Sequence, residues 1–204
     1  MTNWLIVGLG NPGREHVDNR HNIGFMAADA LVEKYGTGGD KNVFKSILRT
    51  ALIDGQNVLI QKPLTYMNLS GEAVGACARF YKIPIENIIV IHDELDVDSN
   101  TVRIKQAGGA GGHNGLKSID QLVGNNYWRI RLGIGHPGDK NLVSSYVLND
   151  FVQEEWEWVQ PLVKKLADNF PLMLKGQSAK LQTAFNDKQA EAKPKKEKKV
   201  AEEI

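Results

Sequence analysis

Residues 4–25, WLIVGLGNPGREHVDNRHNIGF, decide how the rest of the chain is read. Trp4, Leu5, Ile6 and Val7 form an unbroken apolar run, which predicts a buried strand of a central sheet. Gly8, Gly10 and the turn Asn11-Pro12-Gly13 end that run. A polar segment with His16 and His21 follows, and beyond Asn22 apolar residues return at helical spacing. A strand that stops in a Gly-rich turn at the edge of a sheet is where α/β folds gather their chemistry. His21 is a side chain able to take up a proton near neutral pH.

Working outward, Asn22 reads as the N-cap of a helix that runs to about Tyr35 and is stopped by Gly36. Residues 36–40 read as a flexible loop, 43–53 as a strand, Asp54-Gly55 as a hairpin turn, and 58–63 as the returning strand. The polar stretch 65–72 leads into a helix that closes before Pro84. Residues 87–91 are a second all-apolar run, hence another central, parallel strand, and it ends in His92-Asp93-Glu94-Leu95-Asp96. Further along come a half-exposed strand at 101–105, a short helix at 116–123 and a strand at 127–134 with arginines at alternate positions. Residues 143–148 predict a short helix, and 154–175 a long one that Pro161 and Pro171 kink or interrupt. Ser178 caps a last helix. The alternation of strands and helices predicts a single α/β domain over residues 1–187, with a mixed central sheet flanked by helices. Residues 188–204 carry almost nothing to bury and read as a charged, disordered tail.

Composition narrows the function classes. With 42% hydrophobic and 24% charged residues the chain is an ordinary globular one. No apolar run reaches the about 18 residues that span a bilayer. The amino terminus lacks the basic start and cleavage site of a signal peptide. These features predict a cytoplasmic protein. A net charge of +1 does not announce a nucleic-acid binder, so any basic surface must come from local clustering. The single cysteine, Cys77, excludes an intrachain disulfide and sits among Ala76, Ala78 and Phe80 as a packed thiol. His16, His21, His92, His113 and His136 lack a metal-ligand spacing, and neither G-x-S-x-G nor H-E-x-x-H occurs. A zinc site is not expected, and the simplest nucleophile is water.

Gly8 to Gly13 fits the dinucleotide fingerprint G-x-G-x-x-G, but in that fold the helix begins within the motif, and here the helical pattern waits until about Asn22. The glycines read instead as a tight turn beside the sheet. His21 gains meaning from its company. Asp93 follows an apolar strand, and Asn11, Asn68 and Asn114 stand beside tight turns or helix starts. A histidine supported by a carboxylate, with amides nearby, is a workable set for general-base attack of water on an ester. Glu94 and Asp96 read as solvated turn carboxylates, and His92 and His136 as structural. The segment 108–115 has five glycines in eight residues and reads either as a cradle of backbone amides for a phosphate or as a flexible loop. Arg103, Lys105, Lys117, Arg129, Arg131 and Lys140 fall around it and make a basic patch if some share a face. The lysines of the tail are nearly balanced by acids, which favours a passive segment over an RNA-seeking arm.

Six stretches together resemble the bacterial peptidyl-tRNA hydrolases: IVGLGNPG at 6–13, RHNIGF at 20–25, KPLTYMNLSG at 62–71, HDELD at 92–96, GGAGGHNGLKSI at 108–119 and RIRLGIGHPGDK at 129–140. The resemblance spans roughly residues 4 to 185 in the family's order. It implies a monomeric α/β domain that cleaves the ester between a peptide's carbonyl and the 3′ ribose of tRNA, without metal or cofactor. It implies His21 as the catalytic base, Asp93 as its supporting carboxylate, and Asn11 as the reader of the peptide linkage. Tyr66, Asn68 and Asn114 fall on substrate-contact positions. His113 and the 108–115 loop border the cleft, and Lys105 and Arg131 suit a tRNA-facing patch. At position 16 this chain has His where the family usually has a Tyr that contacts substrate. The reading that competes with hydrolysis is a non-catalytic RNA-binding protein on the same fold, and a small-molecule esterase or nucleotide-binding enzyme is a second rival.

Overall fold

A computed structural model of the protein describes residues 4–186. The opening apolar run is β1 (Trp4–Gly8), and the helix after Asn22 is α1 (Ile23–Tyr35). Then come β2 (Gly36–Val43), β3 (Ser46–Ile53), β4 (Gln56–Pro63), α2 (Ser70–Tyr81) and β5 (Ile88–Glu94). They are followed by β6 (Val102–Gln106), α3 (Asn114–Leu122), β7 (Trp128–Gly133) and α4 (Val143–Leu148). The chain closes with α5 (Gln153–Asn169), α6 (Pro171–Leu174) and α7 (Ser178–Asn186).

The seven strands form one sheet in the order β2-β3-β4-β1-β5-β7-β6. The centre is parallel, since β1 pairs with both β4 and β5, and β5 with β7. Antiparallel pairing finishes the edges, through β2 and β3 on one side and β6 on the other. Strands covered on both faces need apolar residues at every position. Accordingly Ile6, Ile89 and Ile91 join one buried cluster with Ile23, Ala27, Leu31, Leu162 and Leu166 of α1 and α5. Leu5, Val7, Ile88 and Val90 join the other, with Val74, Cys77, Leu116 and Ile119 of α2 and α3. Cys77 is fully buried, and burial pushes its thiol up to about 12. Among the described residues no helix is long and apolar enough to cross a membrane.

The mixed sheet and its flanking helices match the expected α/β class, and several local readings are corrected. Residues 36–40 are strand, not loop: β2 is exposed along its whole length and is held by pairing with β3, not by a buried face. Asn22 stands at the start of α1, but its side chain makes no capping bond and is spent elsewhere. The long helix α5 is continuous across Pro161, and only Pro171 breaks the run, where it begins the short α6. The expected charged tail at 188–204 lies outside the described residues.

The glycines of the opening stretch have a packing reason. A Cβ on Gly8 would meet the carbonyl oxygen of Gly24 at 2.2 Å, and a Cβ on Gly24 would meet those of Ile91 and Leu9 at 2.4 and 2.5 Å. Backbone therefore lies directly on backbone where α1 begins, which sets residues 20–22 against the carboxyl ends of β1 and β5.

Candidate active site

Two turns shape the centre of the site. The segment after β1 is fastened to the start of α1 by a reciprocal pair: the Asn11 N–H donates to Asn22 Oδ1 and Asn22 Nδ2 donates to the Asn11 carbonyl, both at 2.9 Å. This is where the presumed cap of α1 spends its side chain. Asn11 Oδ1 in turn accepts the Met67 N–H at 2.8 Å. With its oxygen committed, the Asn11 amide has one orientation, and its NH2 is the group left to donate.

His21 sits in a short turn of 3-10 helix before α1, and Asp93 is the sixth residue of β5. His21 Nδ1 lies 2.9 Å from each oxygen of the Asp93 carboxylate. His113 approaches the same carboxylate from the Gly-rich loop, with Nε2 at 2.9 Å from Oδ1. Its other nitrogen, Nδ1, accepts the N–H groups of Gly115 and Leu116 and so caps α3. That bond fixes the tautomer, since an Nδ1 that accepts leaves the hydrogen on Nε2, which donates to Asp93. His113 thus ties a helix N-terminus to the carboxylate that holds His21.

The charges follow from this arrangement. Burial alone would raise the Asp93 pKa, yet the two imidazoles beside it outweigh burial and hold the carboxyl well below its usual range. Ionised, Asp93 can only accept, so His21 carries its hydrogen on Nδ1 and keeps the lone pair on Nε2. Burial pulls the His21 pKa down, but the charge and hydrogen bond of Asp93 win and raise it above 6.5. Next door, His92 donates from Nδ1 to the Asp93 carbonyl at 2.7 Å, and burial lowers its pKa to about 3, so this ring stays neutral.

Asn11, His21, Tyr66, Asn68, Asp93, His113 and Asn114, read separately from five stretches of sequence, line one cleft of about 780 Å³. Asn11, His21 and Asp93 are buried at its floor, whereas Tyr66, Asn68 and Asn114 are exposed on its walls. Three other expected positions are not part of that lining. His16 is tied to its own loop, with Nδ1 at 2.8 Å from Asn19 Oδ1. Lys105 is exposed on β6, and Arg131 on β7 binds Glu94 through Nε at 2.8 Å. Glu94 is therefore paired rather than a free turn carboxylate. Arg129 is buried and leaves the basic patch, because it holds the carbonyls of Gly108 and Gly109 and the Asp120 carboxylate. The Gly-rich loop is organised from below by that guanidinium, which faces carbonyls and not a phosphate.

The sequence reading missed the far wall, made by Val143, Ser144, Val147 and Leu148 of α4, together with His136 and Lys140. His136 and Lys140 lie in the 129–140 stretch, but no local motif marks α4, which reaches the cleft through tertiary contacts. Arg20, the neighbour of His21, makes them. Its Nη2 meets Glu155 at 2.5 Å, its Nη1 reaches the carbonyls of Tyr146 and Asn149, and its guanidinium lies over the Tyr146 ring.

His21, Asp93 and His113 are also the group of described residues whose donor atoms stand close enough to share a metal, within 4.8 Å of one another. The hydrogen that the α3 cap places on His113 Nε2 already occupies one of those positions. A shared proton-bearing network accounts for the geometry without an ion.

Known proteins resemble this chain over most of its length. The family model described as peptidyl-tRNA hydrolase matches residues 5–195. The chain belongs to the peptidyl-tRNA hydrolase family. It is 51% identical to the peptidyl-tRNA hydrolase of Methylobacterium nodulans, over 87% of this chain and 88% of that one. With the Bartonella quintana enzyme the identity is 50%, over 85% and 90% of the two chains. The crystal structure of peptidyl-tRNA hydrolase from Acinetobacter baumannii superposes with a TM-score of 0.85 at 39% identity, covering 91% of this chain and 95% of that one.

Proposed function

We propose that this member of the family hydrolyses the ester of peptidyl-tRNA with His21 as general base. The observation that carries the reading is the pair His21–Asp93 on the floor of a cleft, with Nδ1 committed to the carboxylate and Nε2 left to act. Water attacks the ester carbonyl while Nε2 takes its proton. Asp93 fixes the ring and favours the imidazolium that forms. The freed 3′ oxygen of tRNA then receives a proton and leaves, with the peptide released as an acid.

Asn11 reads the peptide linkage. Its oxygen is spent on Met67, so it presents only N–H donors to the cleft. A peptide carbonyl is a matching acceptor. An unblocked aminoacyl group offers an ammonium in that place, so that donor would meet donor in a desolvated site, and a buried unpaired donor is costly. Asn68 and Asn114 add polar contacts on the walls, Tyr66 an aromatic one, and His16 a ring that can stack or hydrogen-bond at the approach.

The tRNA backbone is held by cations outside the cleft, with exposed Lys105 on β6 foremost and Arg131, which shares its charge with Glu94, on the neighbouring β7. Contacts of that kind are blind to sequence and weaken with salt, which suits one enzyme serving every tRNA. We take the catalytic domain to be residues 1–187, acting as a cytoplasmic monomer, and the chemistry draws on no cofactor.

The deciding assay compares an N-acetylated aminoacyl-tRNA with the unblocked one. Release of the amino acid from the blocked substrate alone is expected. Equal cleavage of both, or of neither, rejects the reading.

A further inference from the structure

Beyond Tyr66, on the side of the cleft away from β6 and β7, lies a second groove of about 380 Å³. Tyr66 lines both hollows, so they share a wall. The groove's floor and sides come from Leu64, Thr65 and Leu69 after β4, and from Asn42, Lys45 and Ser46 around the β2–β3 turn.

The far side of this groove is built under strain. Phe44 and Lys45, the central pair of the turn, have φ of 52° and 51°. The neighbouring hairpin places Asp54-Gly55 in such a turn, the residues that suit it. A phenylalanine and a lysine there are uncommon and need surrounding structure to hold them. The ring of Phe44 packs on Phe80 and Tyr81 at 5.2 and 6.1 Å, the Lys45 carbonyl accepts the Leu64 N–H, and the Lys45 ammonium pairs with Glu72 at 2.6 Å. The result is a firm hollow with exposed Leu64 and Leu69 along it. Thr65 lines it too, 8% exposed, with a hydroxyl that has no hydrogen-bond partner among the described residues.

We propose that this groove is a peptide subsite. It receives, in extended form, the residues that precede the ester-linked one, and so extends the reading of the cleft as the peptidyl-tRNA site. Charge and position argue for peptide and against RNA. The one lysine in the groove is neutralised by Glu72, which leaves no free cation for a phosphate, while Arg103 and Lys105 stand on the opposite edge strand. His21 and Asp93 lie between, at the ends of the central strands. A substrate with its tRNA over β6 and β7 and its ester at His21 therefore directs its peptide across Tyr66 to the groove. Leu64 and Leu69 would cover its side chains.

The test measures KM for N-acetylaminoacyl-tRNA and for an N-blocked tetrapeptidyl-tRNA with apolar residues, using wild type and Leu64→Asn/Leu69→Asn. Both leucines are surface-exposed, so the variant should fold, and its melting curve checks this. The subsite predicts a lower KM for the longer substrate in wild type and an increase of about fivefold for it in the variant, with the short substrate unchanged. Equal effects on both substrates, or none on the longer one, overturn the subsite. Failure of wild type to cleave even the N-acetyl substrate would instead overturn the reading of the cleft.

Discussion

His21 and His113 do not touch through a hydrogen bond, yet both reach Asp93 at 2.9 Å, and their ring centres stand 4.9 Å apart. A single carboxylate therefore joins a base at the foot of α1 to the cap of α3. His113→Ala removes both the cap, worth about 1 kcal/mol, and a hydrogen bond to a buried charge, worth about 1.5–3 kcal/mol. His113→Asn restores a capping acceptor without the reach to Asp93. Denaturant titration should find Ala the less stable of the two, while both lose turnover by about tenfold. Full activity in the asparagine variant would show that Asp93 needs no second support.

The pH profile carries its own sign. A base works unprotonated, so kcat/KM rises with pH through the pKa of His21. Burial alone would lower that pKa, and the attraction of Asp93 raises it above 6.5. The acid limb should accordingly fall above the ordinary imidazole value. Asp93→Asn leaves burial unopposed, so the limb should move to lower pH as kcat drops. A limb that stays in place in the asparagine variant contradicts the coupling.

Gly24→Ala tests the contact that seats the catalytic turn. Its new methyl would press on two carbonyl oxygens at 2.4 and 2.5 Å, and backbone cannot step aside as a side chain would. A loss of about 3 kcal/mol is expected by chemical denaturation. A variant as stable as wild type would mean that α1 can slide on the sheet.

Lys105→Ala bears on the tRNA side. It should weaken tRNA binding for all sequences alike and reduce the salt slope of log Kd by about 1. An unchanged slope removes Lys105 from the phosphate contacts.

The frame of the molecule was legible because buried central strands announce themselves. The run 4–7 and the run 87–91 became β1 and β5, and Asp54-Gly55 became a hairpin. What was illegible has local causes. β2 buries no face, so Gly36 to Val43 carry no alternation to read. Asn22 has the chemistry of a cap, and a neighbour in space, Asn11, claimed its side chain first. Arg129 and Arg131 alternate as solvent-facing residues do, but one is buried under the Gly-rich loop and the other is paired to Glu94. For the cleft, the residue types at 11, 21, 93 and 114 could be named from the chain. That His113 caps a helix and supports Asp93 at once is a fact of three dimensions.

The central claim is that the His21 imidazole takes a proton from water, and the most direct measurement is the single-turnover hydrolysis rate of N-acetylaminoacyl-tRNA by His21→Ala, alongside its Kd for tRNA. The account predicts a rate lower by about 10²–10⁴-fold with Kd unchanged. A rate within a few-fold of wild type would contradict it.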